Sequence, residues 1–374
     1  MSRFFAKKLI IVLGITVIAC LMLLPSCNDY NIKSTKSFNT NNITDASSSS
    51  YESVNSDLTS SKNVIRQYLT LDTLRSMVGD SGKYTGQGIT VAVIDSGTFQ
   101  HDDLIKPQNR IMAFKDFVNN ANSVYDDNGH GTAICGIIAG NGYMSGGAYQ
   151  GIAPNCNLVV AKALDKDGNC NINVLLKALD WVANNIKKYN IRILNISIGI
   201  KNSSENYNLL KVAIDNIVNS NVLIITSVGN KNTNDTEEIY LPAALPEVLS
   251  VGSINDISVK NIDQYQAAPF SSNWKDANGV QKPDLLAPGN SILATQSNVL
   301  YNPLDSNSTN MNVSYVSSTG TSNSAAVVSG LAAILMQQYP SYNNFSIQSM
   351  LLKKCTKINA SMPAQGAGFI YLNQ

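Results

Sequence analysis

The chain has 374 residues, with 27 Lys and Arg against 26 Asp and Glu and a formal net charge of +1. A balance this close to neutral excludes the basic footprint of a nucleic-acid binder and the field that steers a strongly charged substrate. With 44% hydrophobic residues, the chain has enough apolar side chains to bury the core of one large domain.

In chain order, Arg3, Lys7 and Lys8 precede an apolar run from Leu9 to Leu24, which ends in Pro25-Ser26-Cys27. The run is short for a membrane span, and a basic flank, an apolar stretch and a small residue make a secretory signal. Leu24-Pro25-Ser26-Cys27 resembles the lipobox of bacterial lipoproteins, although Pro25 departs from the usual small or branched residue. The expectation is that residues 1–26 are removed and that Cys27 is lipidated, so that the protein is exported and held at the cell envelope. Two alternatives stay open: Val17-Ile18-Ala19-Cys20 fits a lipobox loosely but precedes further apolar residues, and an uncleaved short anchor keeps the same compartment. From Asn28 to Ser61, 20 of 34 residues are Ser, Thr or Asn. Such a stretch cannot bury enough surface to fold, so residues 27–61 read as a flexible tether. Its random-coil reach is on the order of 30 Å.

Residues 62–374 read as one domain. Apolar runs at Ile89–Ile94, Leu158–Ala163, Ile191–Ile196, Val222–Thr226 and Val248–Val251 alternate with helical stretches near Asn173–Lys188, Asn206–Asn219 and Ser346–Lys354. That alternation predicts a three-layer α/β/α fold with a mostly parallel central sheet.

Three stretches carry chemistry. Val91-Ala92-Val93-Ile94-Asp95-Ser96-Gly97 reads as a central strand delivering the Asp95 carboxylate to its carboxyl end. Asp126-Asp127-Asn128-Gly129-His130-Gly131-Thr132 opens onto a small, apolar, helical run with His130 at its start; the chain holds only two histidines. Gly320-Thr321-Ser322 begins a run that continues as Leu331-Ala332-Ala333-Ile334-Leu335-Met336, apolar nearly all round, hence a buried helix. A serine at such a helix start faces unpaired N–H groups and the positive end of the dipole, which favours developing negative charge. Alone, Thr321 and Ser322 are better read as helix caps. Together, Asp, His and Ser, each at a strand end or helix start, make an acyl-transfer site.

In this Asp…His…Ser order the chain resembles the subtilisin-like serine proteases, over about Thr85 to Gly368. Gly151-Ile152-Ala153-Pro154, Asn195-Ile196-Ser197-Ile198-Gly199, Ser227-Val228-Gly229-Asn230 and Pro283-Asp284-Leu285-Leu286-Ala287-Pro288-Gly289 match further family landmarks. The stretch from Tyr125 to Gly199 is most similar to the bacterial branch that includes the AprX-type proteases. The resemblance implies a serine endopeptidase acting on extended peptide or protein segments, expected to be a monomer, with no cofactor needed for the chemistry. It implies Ser322 as nucleophile, His130 as base, Asp95 as the group that orients His130, and the Asn230 amide as an oxyanion donor. Ser197, Ile198 and Gly199 with Ser227, Val228 and Gly229 would line the primary specificity pocket and pair with substrate backbone, their glycines leaving room for another strand.

Other candidates read as structural. His101 matches a His-x-Asp-Leu loop of the family. Cys135 reads as a small buried residue rather than a thiol nucleophile. Asp165-Lys166-Asp167-Gly168-Asn169 begins like a calcium loop, but Cys170 and Leu176 stand where a Gly and a Glu are needed, so it reads as a turn. Family members often bind structural calcium elsewhere, and no motif locates such a site here. Cys135, Cys156, Cys170 and Cys355 allow three pairings in a compartment that permits disulfides. The chain departs from the family after the serine, where Asn323-Ser324-Ala325-Ala326 replaces Met-Ala-x-Pro, at Ala133 after His-Gly-Thr, and at Asn273-Trp274. Residues 28–61 are too short and polar for the usual inhibitory prosegment. These features leave room for a dedicated leader-peptide processing protease, or for a homologue that binds peptides without cleaving them.

Overall fold

The computed structural model describes residues 71–231, 240–255, 261–275, 280–308 and 313–373. The signal segment, Cys27 and the tether lie outside the described residues.

Six parallel strands form the middle of the sheet: β1 (Thr90–Asp95), β3 (Asn157–Lys162), β4 (Ile191–Ile196), β5 (Leu223–Ser227), β6 (Leu249–Ile254) and β7 (Leu285–Pro288). A further strand, β2 (Ile111–Asp116), pairs in parallel with β3 at one edge. The short Phe369–Ile370 and Cys355–Thr356 close the other edge, the last of these antiparallel. β1 lies between β3 and β4, so the chain builds outward from β1 in both directions. In such sheets the crevice at the carboxyl ends of the strands, where the order reverses, is the place for a site.

Alternation along the buried strands sorts side chains to two helical layers. After the short helices α1 (Leu71–Met77) and α2 (Asp102–Ile105), the longer ones form the layers: Val91, Val93, Leu158, Val160, Ile193 and Ile225 pack with α3 (His130–Ala139) and α6 (Thr321–Gln338). Ala92, Ile94, Val159, Ala161, Leu194 and Ile224 pack with α4 (Ile172–Tyr189) and α5 (Ser204–Asn219) on the opposite face. The expected three-layer arrangement is therefore present, and each predicted strand and helix falls within two residues of its expected bounds except β6, which runs three residues past Val251. β2 and β7 were not anticipated. β2 is a half-exposed edge whose Lys115 and Asp116 interrupt the apolar pattern, and β7 is only four residues long and ends in proline.

Local chemistry explains the helix starts. Asn171 and Ser203 cap α4 and α5 by accepting from the N–H groups of Val174 and Asn206. Every residue of α6 from Thr321 to Met336 is buried, as a helix packed against β4, β5, β6 and α3 requires.

Candidate active site

Asp95 ends β1, His130 opens α3 and Ser322 is the second residue of α6. The Ser197–Gly199 segment follows β4, while Ser227 ends β5 and leads into Val228, Gly229 and Asn230. All five of these ends and segments lie at the carboxyl edge of the sheet, where helices running back across it begin.

Asp95 is fully buried and His130 nearly so. His130 Nδ1 and Asp95 Oδ1 are 2.7 Å apart, and the same oxygen accepts from the Ser96 N–H at 2.7 Å. A carboxylate at Nδ1 places the ring proton there and leaves Nε2 as the basic nitrogen of the neutral ring. Burial alone pushes the His130 pKa down, but attraction to Asp95, their hydrogen bond and a lesser pull from Asp126 outweigh it and hold the imidazole above its usual value.

A second buried carboxylate builds the start of α3. Asp126 accepts from the N–H groups of Gly129 and Thr132, each at 2.8 Å, and from the Thr132 hydroxyl at 2.6 Å. It also accepts from Ser96 Oγ at 2.8 Å, and that hydroxyl oxygen accepts in turn from the Gly131 N–H at 2.8 Å. The Asp95 turn and the His130 loop are thereby tied together. The approach is so close that a methyl group on Gly131 would lie 2.1 Å from the Gly97 carbonyl oxygen, which is why Ala is excluded there.

Lys162, the last residue of β3, is fully buried beneath the same two segments. Its ammonium donates to the Ser96 carbonyl at 2.7 Å, to the Leu164 carbonyl at 2.9 Å and to Asp127 Oδ1 at 2.6 Å. Its three protons are thus all used, and it also sits 5.0 Å from the centre of the Tyr125 ring.

On the other side of the cleft, Asn230 Oδ1 accepts from the Thr321 N–H and hydroxyl, both at 2.9 Å. That pairing fixes the amide so that Nδ2 points away from Thr321. Asn230 Nδ2 and Ser322 Oγ are both buried and make no protein hydrogen bond. Behind them, Asn195 receives the Ser329 hydroxyl at 2.9 Å and donates to Ser197 Oγ at 3.2 Å, coupling α6 to the Ser197 segment.

Tyr240, which nothing in the sequence singled out, lies against Gly199, while Ser272 and the far edge of the Tyr240 ring lie against Gly229. Asp126, Ser96 and Lys162 were missed as well. A carboxylate just ahead of an apolar helix is a legible signal, whereas a lysine ending an apolar strand is not.

The remaining candidates are structural. His101 Nε2 donates to the Ser314 carbonyl at 2.7 Å and Nδ1 accepts from the Asp103 N–H at 3.1 Å, so the ring is neutral and caps a short helical turn. Burial lowers its pKa against the pull of Asp103. Cys135 is buried in the core, and burial pushes its thiol well above the ordinary range. Cys156, Cys170 and Cys355 are free as well, so none of the three pairings is made. The Asp165 loop is a turn, its carboxylate taking the N–H groups of Asp167 and Asn169 at 2.9 and 2.8 Å.

The model of the Subtilase family matches residues 86–369. Serine protease AprX of Bacillus subtilis (strain 168) is 31% identical over 307 residues, spanning 79% of this chain and 68% of that protein. The major intracellular serine protease of the same organism is 30% identical, over 77% of this chain and 82% of its own. Among solved structures, the S41 psychrophilic protease is 26% identical with a TM-score of 0.66, covering 80% of this chain and 97% of that one. A cold-adapted subtilisin-like serine proteinase gives a TM-score of 0.60 at 24% identity, covering 79% and 93%. Sequence, fold and the placement of a buried Asp–His pair at the sheet's carboxyl edge agree, and the chain belongs to the subtilase family as a subtilisin-like serine endopeptidase.

Proposed function

We propose that Asp95, His130 and Ser322 form the catalytic triad, with the Asn230 side-chain amide and the Ser322 backbone N–H as the oxyanion site. The observation that carries this reading is the buried 2.7 Å bond between His130 Nδ1 and Asp95 Oδ1. It leaves Nε2 to take the Ser322 proton as Oγ attacks the scissile carbonyl, and to return that proton to the leaving amine. The charged imidazole formed in between is stabilised by Asp95, in keeping with the raised His130 pKa. Ser322 Oγ and Asn230 Nδ2 are not spent on protein partners, which suits groups that act on the substrate. The Ser197–Gly199 and Ser227–Gly229 segments receive the extended substrate on the acyl side. No cofactor enters this chemistry.

The same proposal places the enzyme outside the cytoplasm, anchored through a lipid on Cys27 and spaced from the membrane by residues 28–61. The basic, apolar and Ser-Cys order of residues 3–27 supports it. Labelling with a fluorophosphonate tests the site: the wild type should be modified at Ser322, and Ser322→Ala should not. Labelling that survives in Ser322→Ala would overturn the assignment. For the anchor, Cys27→Ser should move the protein from the membrane fraction to soluble or unprocessed forms.

A further inference from the structure

We propose that the Tyr240 ring fills the slot beside the oxyanion site and so restricts cleavage to bonds that follow a small residue, namely glycine, alanine or serine. The inference rests on the site reading above and adds the substrate class. In that site reading, with the acyl oxygen at Asn230 Nδ2, the side chain next to the carbonyl falls between Ser227–Gly229 and Ser197–Gly199, the segments that leave the paired strands β5 and β4.

Tyr240 stands between these walls. Its backbone is held in place by its neighbour, since Ile200 and Leu241 exchange two hydrogen bonds, each of 2.8 Å. A methyl group built on Gly199 would lie 3.2 Å from Tyr240 Cβ, 3.4 Å from Cγ and 3.7 Å from Cδ1. One built on Gly229 would lie 3.4 Å from Ser272 Oγ and 3.8 Å from Ser272 Cβ, with Tyr240 Cδ2, on the opposite edge of the ring, next at 4.0 Å. The ring therefore packs closely on the Gly199 wall and reaches with its other edge towards Gly229, a position it shares with Ser272. Both glycines now have a local reason: Gly199 makes room for the tyrosine, and Gly229 adopts a φ of 106° that a side chain would strain. A leucine or phenylalanine entering this slot meets the ring, whereas a methyl or hydroxymethyl group does not reach it.

Pockets discriminate by roughly 10–200-fold per methylene that fits or fails to fit. The experiment uses purified enzyme and three peptides identical except for Ala, Leu or Phe before the scissile bond. Wild type should show kcat/KM at least about 10-fold higher for Ala than for Leu or Phe. Tyr240→Ala should erase or invert that ratio, and Tyr240→Phe should keep it, because ring size and not the hydroxyl does the excluding. In parallel, the bonds that wild type cuts in an unstructured protein should follow small residues, a readout independent of how well Tyr240→Ala folds. A wild-type preference for Leu or Phe, or a folded Tyr240→Ala with an unchanged ratio, overturns the inference. Fluorophosphonate labelling of the same preparations separates the two claims. Labelled enzyme with no small-residue preference sinks only the role of Tyr240, whereas absent labelling sinks the site reading and this inference with it.

Discussion

The two halves of the site are built on opposite terms. On the Asp95–His130 side the groups that frame the pair are spent, although Asp95 Oδ2 itself is buried without a protein partner: Asp126 alone accepts from Ser96, Gly129 and Thr132, and Lys162 uses all three protons. On the Ser322–Asn230 side, one amide oxygen is fixed by Thr321 while the amide nitrogen and the serine hydroxyl are buried without a protein partner. Unsatisfied buried polar groups cost on the order of 1–3 kcal/mol each, so leaving two of them at one point needs a reason. In the proposed triad, substrate supplies it, because an oxyanion at Asn230 and a proton acceptor for Ser322 exist only during the reaction. The base side is made rigid so that the reactive side can stay unsatisfied.

Breaking the comparison at its centre has the largest effect. Ser322→Ala or His130→Ala should each lower kcat by on the order of 10⁴-fold or more, and the double variant should be little worse, since the residues act as one unit. Asn230→Ala should lower kcat by roughly 10²–10³-fold with KM nearly unchanged, because its bond strengthens in the transition state. A change confined to KM would make Asn230 a ground-state contact and remove it from the reactive half.

The rigid half can be loosened without touching the triad. Lys162→Met leaves the Asp127 carboxylate, 13% exposed, and the Ser96 carbonyl without their donor. Losing one partner of a buried pair costs roughly 3–5 kcal/mol of stability, readable by denaturant unfolding. A shift of about 1 Å in the Asp95 turn would lower kcat by up to about 100-fold. Adding Asp127→Asn should recover stability but not rate, since the tie to the Ser96 carbonyl stays broken.

The raised His130 pKa gives this half a pH signature. With His130 as the proposed base, catalysis needs the neutral ring, so the acid limb of kcat/KM should lie above the ordinary histidine value of 6.5. Asp95→Asn removes the attraction that outweighs burial and should move that limb down as the rate falls. The sign for stability is opposite. A raised folded pKa stabilises below the unfolded value, and that contribution is lost as pH rises through the folded one. The working enzyme therefore operates where this contribution has gone.

Sequence made the rigid skeleton of the site legible and its trimmings opaque. Asp95, His130 and Ser322 sit where periodicity breaks, at the end of an apolar strand or the start of an apolar helix, so each announces both an element and a member of the proposed triad. β1, β3, β4 and β5 were legible because strands buried on both faces are unbroken apolar runs. Tyr240 lies in a segment with no periodicity, and only the pairing of Ile200 with Leu241 brings its ring to Gly199 and Gly229. Lys162 looked like the hydrophilic end of a strand, because a fully buried lysine depends on the nearby Leu164 carbonyl and on a carbonyl and a carboxylate supplied by two distant segments.

The smallest expected effect concerns Ala326, the alanine standing where the family usually has proline. α6 is assigned as regular helix from Thr321 onward, and Ala326 is fully buried in it. Four residues after the nucleophile, its N–H is placed to bond the Ser322 carbonyl, so nothing bends the first turn. A proline there lacks that N–H and crowds the same carbonyl, which tilts the turn that carries Oγ. Ser322 Oγ makes no hydrogen bond in the regular helix, which is what an untilted turn would give if the hydroxyl rests short of its working position. Ala326→Pro should therefore cost about 3 kcal/mol of stability and raise kcat on an unstructured protein substrate by a few-fold, up to about 10-fold. Thermal melting checks the first effect and initial rates at saturating substrate the second. A folded variant with an unchanged or lower kcat would show that the reactive half is already built around alanine, and that Ser322 reaches His130 through substrate binding rather than through the helix.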